Sequence, residues 1–270
     1  MRHLEDRAVL IKGAGEKASA VAHLLHSVGL KRLVMTDLPA PKAERRGVSF
    51  CEAVVEGLKE VSGVVARRAG PSVEDILRIW EKGEIAVMAD PYARIRRLLM
   101  PDILIDAVMT KRNTGTTIDD AGLVIALGPG FVAGVDAHFV VETNPASPEL
   151  GRVISEGRAE EDTDIPTPVL GLTSERLIRS PAQGMLSLRK MIGDLIKEGE
   201  TIGCVSSSAV KAGIDGTLWG IVRDGLEVKE GQKIGDIDPR GERALCFQIT
   251  TQARTIAEGV PRTIERFFDQ

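Results

Sequence analysis

Aromatic residues are scarce in this chain: one Tyr, two Trp and six Phe make up 3% of its 270 residues. That excludes a platform that stacks single-stranded bases on aromatic faces. An excess of positive charge is missing too, because 35 Lys and Arg stand against 39 Asp and Glu for a formal net charge of -4. An electrostatic nucleic-acid binder is therefore not expected. No apolar run approaches the roughly 18 residues of a membrane-spanning helix. The first residues, Met1-Arg2-His3-Leu4-Glu5-Asp6-Arg7, are charged and lead straight into an apolar run, which reads as no signal peptide and as a cytoplasmic protein. Cysteine is rare as well. Cys51, Cys204 and Cys246 lie too far apart for a zinc site of the CxxC type, and an odd count in a reducing compartment reads as free thiols.

What is present is the composition of an ordinary globular protein, 43% hydrophobic and 27% charged, in a chain long enough for two domains. The first half alternates short Val, Ile and Leu runs with helical periods. Strands are expected at Ala8 to Lys12, Arg32 to Thr36, Val64 to Arg67, Ile85 to Ala89, Leu104 to Val108, Leu123 to Leu127 and Ala137 to Glu142. Helices fall between them at Lys17 to Val28, Phe50 to Leu58, Val73 to Lys82 and Arg94 to Leu99. Ser72 and Asp75 form a capping box for the third of these. This pattern predicts a Rossmann-like α/β domain with a parallel sheet over residues 1–150. Residues 151–175, with the acidic, proline-containing Glu160 to Pro168, read as a linker or lobe crossing.

Beyond it the sequence repeats. A shift of 32 residues places Gly184 on Gly216, Leu186 on Leu218, Gly193 on Gly225, Lys197-Glu198-Gly199 on Lys229-Glu230-Gly231 and Ile202-Gly203 on Ile234-Gly235. Two copies suit a small all-β domain over residues 176–270 in which each covers the other's apolar face. The spacing resembles biotinyl and lipoyl carrier domains, which implies a barrel-sandwich-hybrid-like fold. The turn where such carriers hold their lysine reads Ser206-Ser207-Ser208-Ala209, so a scaffold or docking role fits better than a swinging arm. Trp219, at a turn in the repeat, is a candidate docking anchor, whereas Trp80 reads as core.

Two segments carry candidate chemistry. Gly13-Ala14-Gly15-Glu16-Lys17-Ala18 is a G-x-G-x-x-A turn between the first strand and helix, and Asp37 ends the next strand. Gly13 permits the turn, Gly15 admits a phosphate, and Asp37 is placed to hold ribose hydroxyls. Glu16 would repel that phosphate unless it points away; the alternative is a glycine turn kept only for packing. The second segment, Lys111-Arg112-Asn113-Thr114-Gly115-Thr116-Thr117-Ile118-Asp119-Asp120, is a polar loop between two apolar strands, with Gly128-Pro129-Gly130 following the second. Lys111 and Arg112 suit an anion, Thr116, Thr117 and the amides at Gly128 and Gly130 add hydrogen bonds, and Asp119 or Asp120 suits a metal or a proton. Arg94, Arg96 and Arg97 read as a solvated helix face, and His138 as a structural histidine before a proton donor.

KGAGEKASAVAHLLHSVG, VSFCEAVVEG, KRNTGTTIDDAGLVIALGPGF, AGVDAHFVVETN, GLEVKEGQKIGDIDPRG and CFQITTQAR together resemble the selenium-dependent molybdenum hydroxylase system proteins of the YqeB type along nearly the whole chain. More distantly, the loop resembles accessory proteins of xanthine dehydrogenase maturation. The resemblance implies an accessory or maturation role toward a client molybdenum hydroxylase, with molybdenum cofactor or a pterin nucleotide as the phosphate-bearing ligand. A homo-oligomer fits as well. Alternatives stay open: an NAD(P)-dependent oxidoreductase, or a selenium- or sulfur-transfer enzyme. Cys51, Cys246, Lys111 and Asp120 are the candidate catalytic residues.

Overall fold

The computed structural model describes residues 3–269. The chain forms two units. Unit 1 comprises the residues up to Pro41, Ser49–Thr163 and the residues from Ile249 on; unit 2 comprises Lys42–Val48 and Asp164–Gln248. This division differs from the sequence-based boundaries of 1–150, 151–175 and 176–270. The C-terminal segment returns to unit 1, and a seven-residue excursion near the N-terminus belongs to unit 2.

Unit 1 is built on one nine-stranded sheet. In chain order its elements are β1 (Val9–Lys12), α1 (Glu16–Ser27), β2 (Leu33–Asp37), α2 (Glu52–Glu56), β3 (Leu58–Val61), β4 (Val64–Arg68), α3 (Val73–Trp80), β5 (Ile85–Ala89), α4 (Arg96–Leu99), β6 (Ile103–Asp106), β7 (Leu123–Leu127), β8 (Phe139–Val141) and β9 (Val153–Ile154). The sheet order is β3-β4-β5-β2-β1-β6-β7-β8-β9. From β4 across to β8 in that order the strands run parallel, while β3 pairs antiparallel with β4 and β9 antiparallel with β8. The central strands are continuous apolar runs because both faces are covered; β1 and β7 are buried at every position. Ser72 caps α3 by accepting a hydrogen bond from the Asp75 amide, and its hydroxyl donates to the Asp75 carboxylate, so the cap forms with a side-chain pair in place of the expected reciprocal box.

Unit 2 contains β10 (Leu177–Arg179), β11 (Gly184–Leu188), β12 (Leu195–Ile196), β13 (Thr201–Val205), β14 (Ser208–Lys211), β15 (Gly216–Ile221), β16 (Glu227–Val228) and β17 (Lys233–Asp238). They make two four-stranded sheets, β10-β17-β15-β12 and β14-β13-β11-β16. The 32-residue repeat is visible in the backbone. Gly184 and Gly216 share φ values of 148° and 155°, and Gly203 and Gly235 each sit so close to a neighbouring carbonyl that a Cβ would lie 2.3 Å from it. The short strand of each copy pairs with the first strand of the other, β12 with β15 and β16 with β11. The apolar core between them includes Leu186, Ile202, Leu218 and Ile234.

The expected architecture is therefore corrected. The first sheet is mixed rather than parallel, because the tight Ser62-Gly63 turn (φ 49° and 83°) folds β3 back on β4, and the short return after β8 does the same for β9. The second unit is a pair of antiparallel sheets in which no closed barrel forms among the described residues. Its last expected stretch is instead the 18-residue helix α5 (Thr251–Phe268) of unit 1, capped by Thr250 and packed on α1.

Candidate functional site

In unit 1, successive strands step from β1 to β2 on one side and from β6 to β7 on the other. The sheet thus reverses its winding between β1 and β6. Open α/β sheets concentrate their ligand contacts at the carboxyl ends of the strands at such a point. Here the last residues of the two strands, Lys12 and Asp106, are register partners, and both are buried. The Lys12 ammonium donates to Asp106 Oδ2 at 2.8 Å and to Thr116 Oγ1, and the Thr116 hydroxyl donates to the same Asp106 oxygen. Each charge would be costly to bury alone; the triangle lets each satisfy the other and leaves Thr116 as the bridge. Asp106 Oδ1 accepts from the Val108 amide, so the cluster also fixes the chain leaving β6. Sequence reading missed Asp106. Its signal was a charge closing an apolar strand, beside another such strand that ends in lysine.

Thr116 closes the polar loop, which is held from several sides. Asn113 Oδ1 accepts from the amides of Gly115 and Thr116, and its Nδ2 donates to the Thr116 carbonyl, all at 2.8 Å. Thr110 Oγ1 donates to the Arg112 carbonyl. Gly130 presses on the Arg112 backbone, where a Cβ would sit 2.5 Å from Cα. Met109 and Lys111, neither of them glycine, take φ values of 62° and 61°. Such conformations cost energy and persist only where the surroundings over-determine them. Lys111 pairs with Asp162 at 3.2 Å, both partly exposed. The exposed Arg112 side chain makes no hydrogen bond or ion pair among the described residues.

The acidic end of the loop is used differently from the expectation. Thr117 and Asp120 form a reciprocal cap on the turn Ile118–Asp120, and Asp120 Oδ1 also accepts from Arg96 Nε at 3.0 Å. Asp120 is thus a structural carboxylate, and Arg96 is its partner rather than part of a solvated face. Asp119 is exposed, and among the described residues no three His, Cys, Asp or Glu side chains gather as a metal site.

The glycine turn is also engaged by its own chain. A Cβ on Gly13, whose φ is +92°, would lie 2.7 Å from the Ala107 carbonyl, so this glycine serves close packing against the end of β6. Asp37 accepts from the Ala14 amide at 2.8 Å and from the Leu38 amide at 2.7 Å, and burial pushes its carboxyl above the usual range. The oxygens expected to hold a ribose thus pin the turn instead. Glu16 points away from it, accepting from the Thr250 amide at the start of α5. Gly15 faces open space. Gly128 abuts the Thr143 hydroxyl, which places its turn beside the segment leaving β8. There Glu142, unnoticed in the sequence, is buried and accepts from three amides, those of Thr143, Asn144 and Glu160.

The two candidate cysteines are structural. Cys51 is wholly buried at the N-cap of α2. Cys246 is wholly buried in unit 2, its thiol faces the Leu218 carbonyl, and burial pushes it up, away from the thiolate a nucleophile needs. His138 Nδ1 accepts from the Val124 amide at 3.0 Å and its ring meets Phe267 edge-on. Burial lowers its pKa, and these contacts make it a structural ring. Trp219 is no exposed anchor: its Nε1 donates to the Leu245 carbonyl, and the Arg45 guanidinium lies 4.1 Å from its ring centre.

Fold and site together define an α/β unit with a mixed sheet and a polar cluster at its carboxyl edge, joined in one chain to an antiparallel β unit. The chain is 43% identical over 252 residues to the uncharacterized protein YqeB of Escherichia coli (strain K12), covering 93% of this chain and 46% of that protein. This supports the resemblance to YqeB-type proteins. The chain spans about half the length of the curated relative it matches. No family model matches. Among solved structures, it is similar to an aspartoacylase family protein from Mesorhizobium loti and to a succinylglutamate desuccinylase/aspartoacylase from Rhodobacter sphaeroides. Each has a TM-score of 0.27 and 14% identity, covering 86% of this chain and 84% of the other. The product-bound ectoine utilization protein EutE (DoeB) from Ruegeria pomeroyi follows at 0.25 and 11%, with the same coverage. The expected accessory role toward molybdenum hydroxylases is not borne out: the relative is described only as uncharacterized, and no comparison supports molybdenum or selenium. Likenesses this distant bring no activity to the chain.

Proposed function

We propose that unit 1 binds a small anionic molecule at the carboxyl edge of its sheet, with the loop 109–117 as the binding element. The observation that carries this reading is the pair of strained residues, Met109 and Lys111, in a loop clamped by Asn113, Thr116 and Gly130. Backbone strain of this kind clusters where a ligand is held, and a rigid loop loses little entropy on binding. Lys111 and Arg112 supply the positive charge, and Asp162 occupies Lys111 until an anion displaces it. Lys12, Asp106 and Thr116 act as positioning residues beneath the loop.

Inorganic phosphate and succinate are the probes, and the melting temperature of the full chain is the measurement. One or both should raise it, the Lys111→Ala/Arg112→Ala double variant should lose the rise, and Asp162→Ala should bind several-fold more tightly. Gly15→Val should bind as the parent does, because Gly15 faces open space. No response to either anion, or a response that survives the double variant, would sink the assignment.

A further inference from the structure

A second candidate site lies on unit 1 among different residues. A cavity of about 330 Å³ opens between the turn at residues 148–152 and α5, with Glu149, Leu150, Arg152, Thr255, Glu258 and Arg262 in its walls. Its floor is formed where two stretches of backbone touch. A Cβ on Gly151 would lie 2.4 Å from the Thr255 carbonyl, and one on Gly259 2.8 Å from the Gly151 carbonyl. Gly151 also takes a φ of +81°, which disfavours any other residue. Two glycines therefore set the depth of the cavity, and charged side chains line it.

Those charges are unevenly satisfied. Glu149 and Arg152 pair at 2.9 Å. Glu258 and Arg262 stand four residues apart on α5, in the order that favours an ion pair on a helix. Among the described residues, however, neither side chain makes a hydrogen bond or an ion pair. The cavity thus offers one carboxylate and one guanidinium, each without a partner among the described residues. We infer that it binds a compact zwitterion, a free amino acid, with the ligand's carboxylate on Arg262 and its ammonium on Glu258. An arginine fork suits a carboxylate geometrically, and the volume falls at the lower end of the roughly 300–1,000 Å³ typical of small-molecule sites.

The test is isothermal titration of the full chain with each common amino acid, and with acetate and methylamine as single-charge probes. At least one amino acid should bind with a Kd of about 1 mM or lower, and each single-charge probe at least about tenfold more weakly. Arg262→Ala and Glu258→Ala should each weaken binding about tenfold or more, with unchanged circular dichroism because both side chains are exposed. The Lys111→Ala/Arg112→Ala variant should bind the amino acid as the parent does, which separates this site from the loop. The inference is overturned by no amino-acid binding up to about 10 mM, by equal binding of acetate, or by binding indifferent to both α5 substitutions.

Discussion

Asp236 of unit 2 is a carboxylate whose ionisation the fold opposes. It is buried, its Oδ1 has no hydrogen-bond partner among the described residues, and burial pushes its pKa from 3.8 to about 6 against the opposing pull of Lys233. The charged groups around it are Lys233, Glu44, Arg45 and Arg176. The sign follows from the direction of the shift. A folded-state pKa raised above the unfolded value means that the folded state binds the proton more tightly, so the stabilisation is complete below pH 4 and is lost as pH rises to about 6. Through that window, stability should fall by up to about 1.4 kcal/mol per pH unit. Asp236→Asn mimics the protonated form and should flatten this slope, melting above the parent at pH 7. Melting curves from pH 4 to 8 decide it, and an unchanged slope in the variant would remove Asp236 as its source.

Among the elements, what the sequence made legible was what local chemistry decides. The Ser72 cap started α3, Gly29 ended α1, and strand β5 lies at the expected residues, because caps and apolar runs act over a few positions. The C-terminal helix was not expected, because the repeat extended an all-β domain to residue 270; although it contains Gly259 and Pro261, α5 keeps Ile256, Ala257, Val260 and Ile264 buried on one face. Asp106 became meaningful only when β6 was laid beside β1, a pairing across more than ninety residues. The two glycine segments behave differently for the same reason: what each glycine faces is set by distant chain. Gly130→Ala would drive a Cβ into the Arg112 backbone at a φ of +98°, so it should cost about 1–3 kcal/mol and abolish anion binding at the loop. Gly15→Ala, at a φ of -71° with nothing near its Cβ, should change stability by less than about 1 kcal/mol. Urea denaturation of the two variants compares them directly, and equal losses would refute the packing account of Gly130.

For the whole molecule, the unexpected feature is that unit 2 is assembled from two separated stretches, and the shorter one, Lys42–Val48, is fastened around the side chain of Arg45. The Arg45 guanidinium donates to the carbonyls of Trp219, Leu245, Cys246 and Gln248 while lying over the Trp219 ring. Around it, Arg46 donates to the Ile221 carbonyl, Ile221 returns its amide to Glu44, and Gly47 lies against the Cys246 carbonyl. No local pattern announces this, because the arginine's four acceptors lie more than 170 residues away. Its loss would strand several carbonyls at once, and each stranded buried group costs about 1–3 kcal/mol, partly recovered by water. Arg45→Ala should therefore destabilise unit 2 by roughly 2–4 kcal/mol, and Arg45→Lys should recover little, because one ammonium cannot reproduce the planar fork. Hydrogen exchange is the discriminating measurement. Amides of β15 and of the turn Arg243–Phe247 should lose protection in Arg45→Ala, while those of β1 and β6 in unit 1 keep theirs. Loss of protection in both units together would mean that Arg45 supports the fold of the entire chain instead of the attachment of one segment to unit 2.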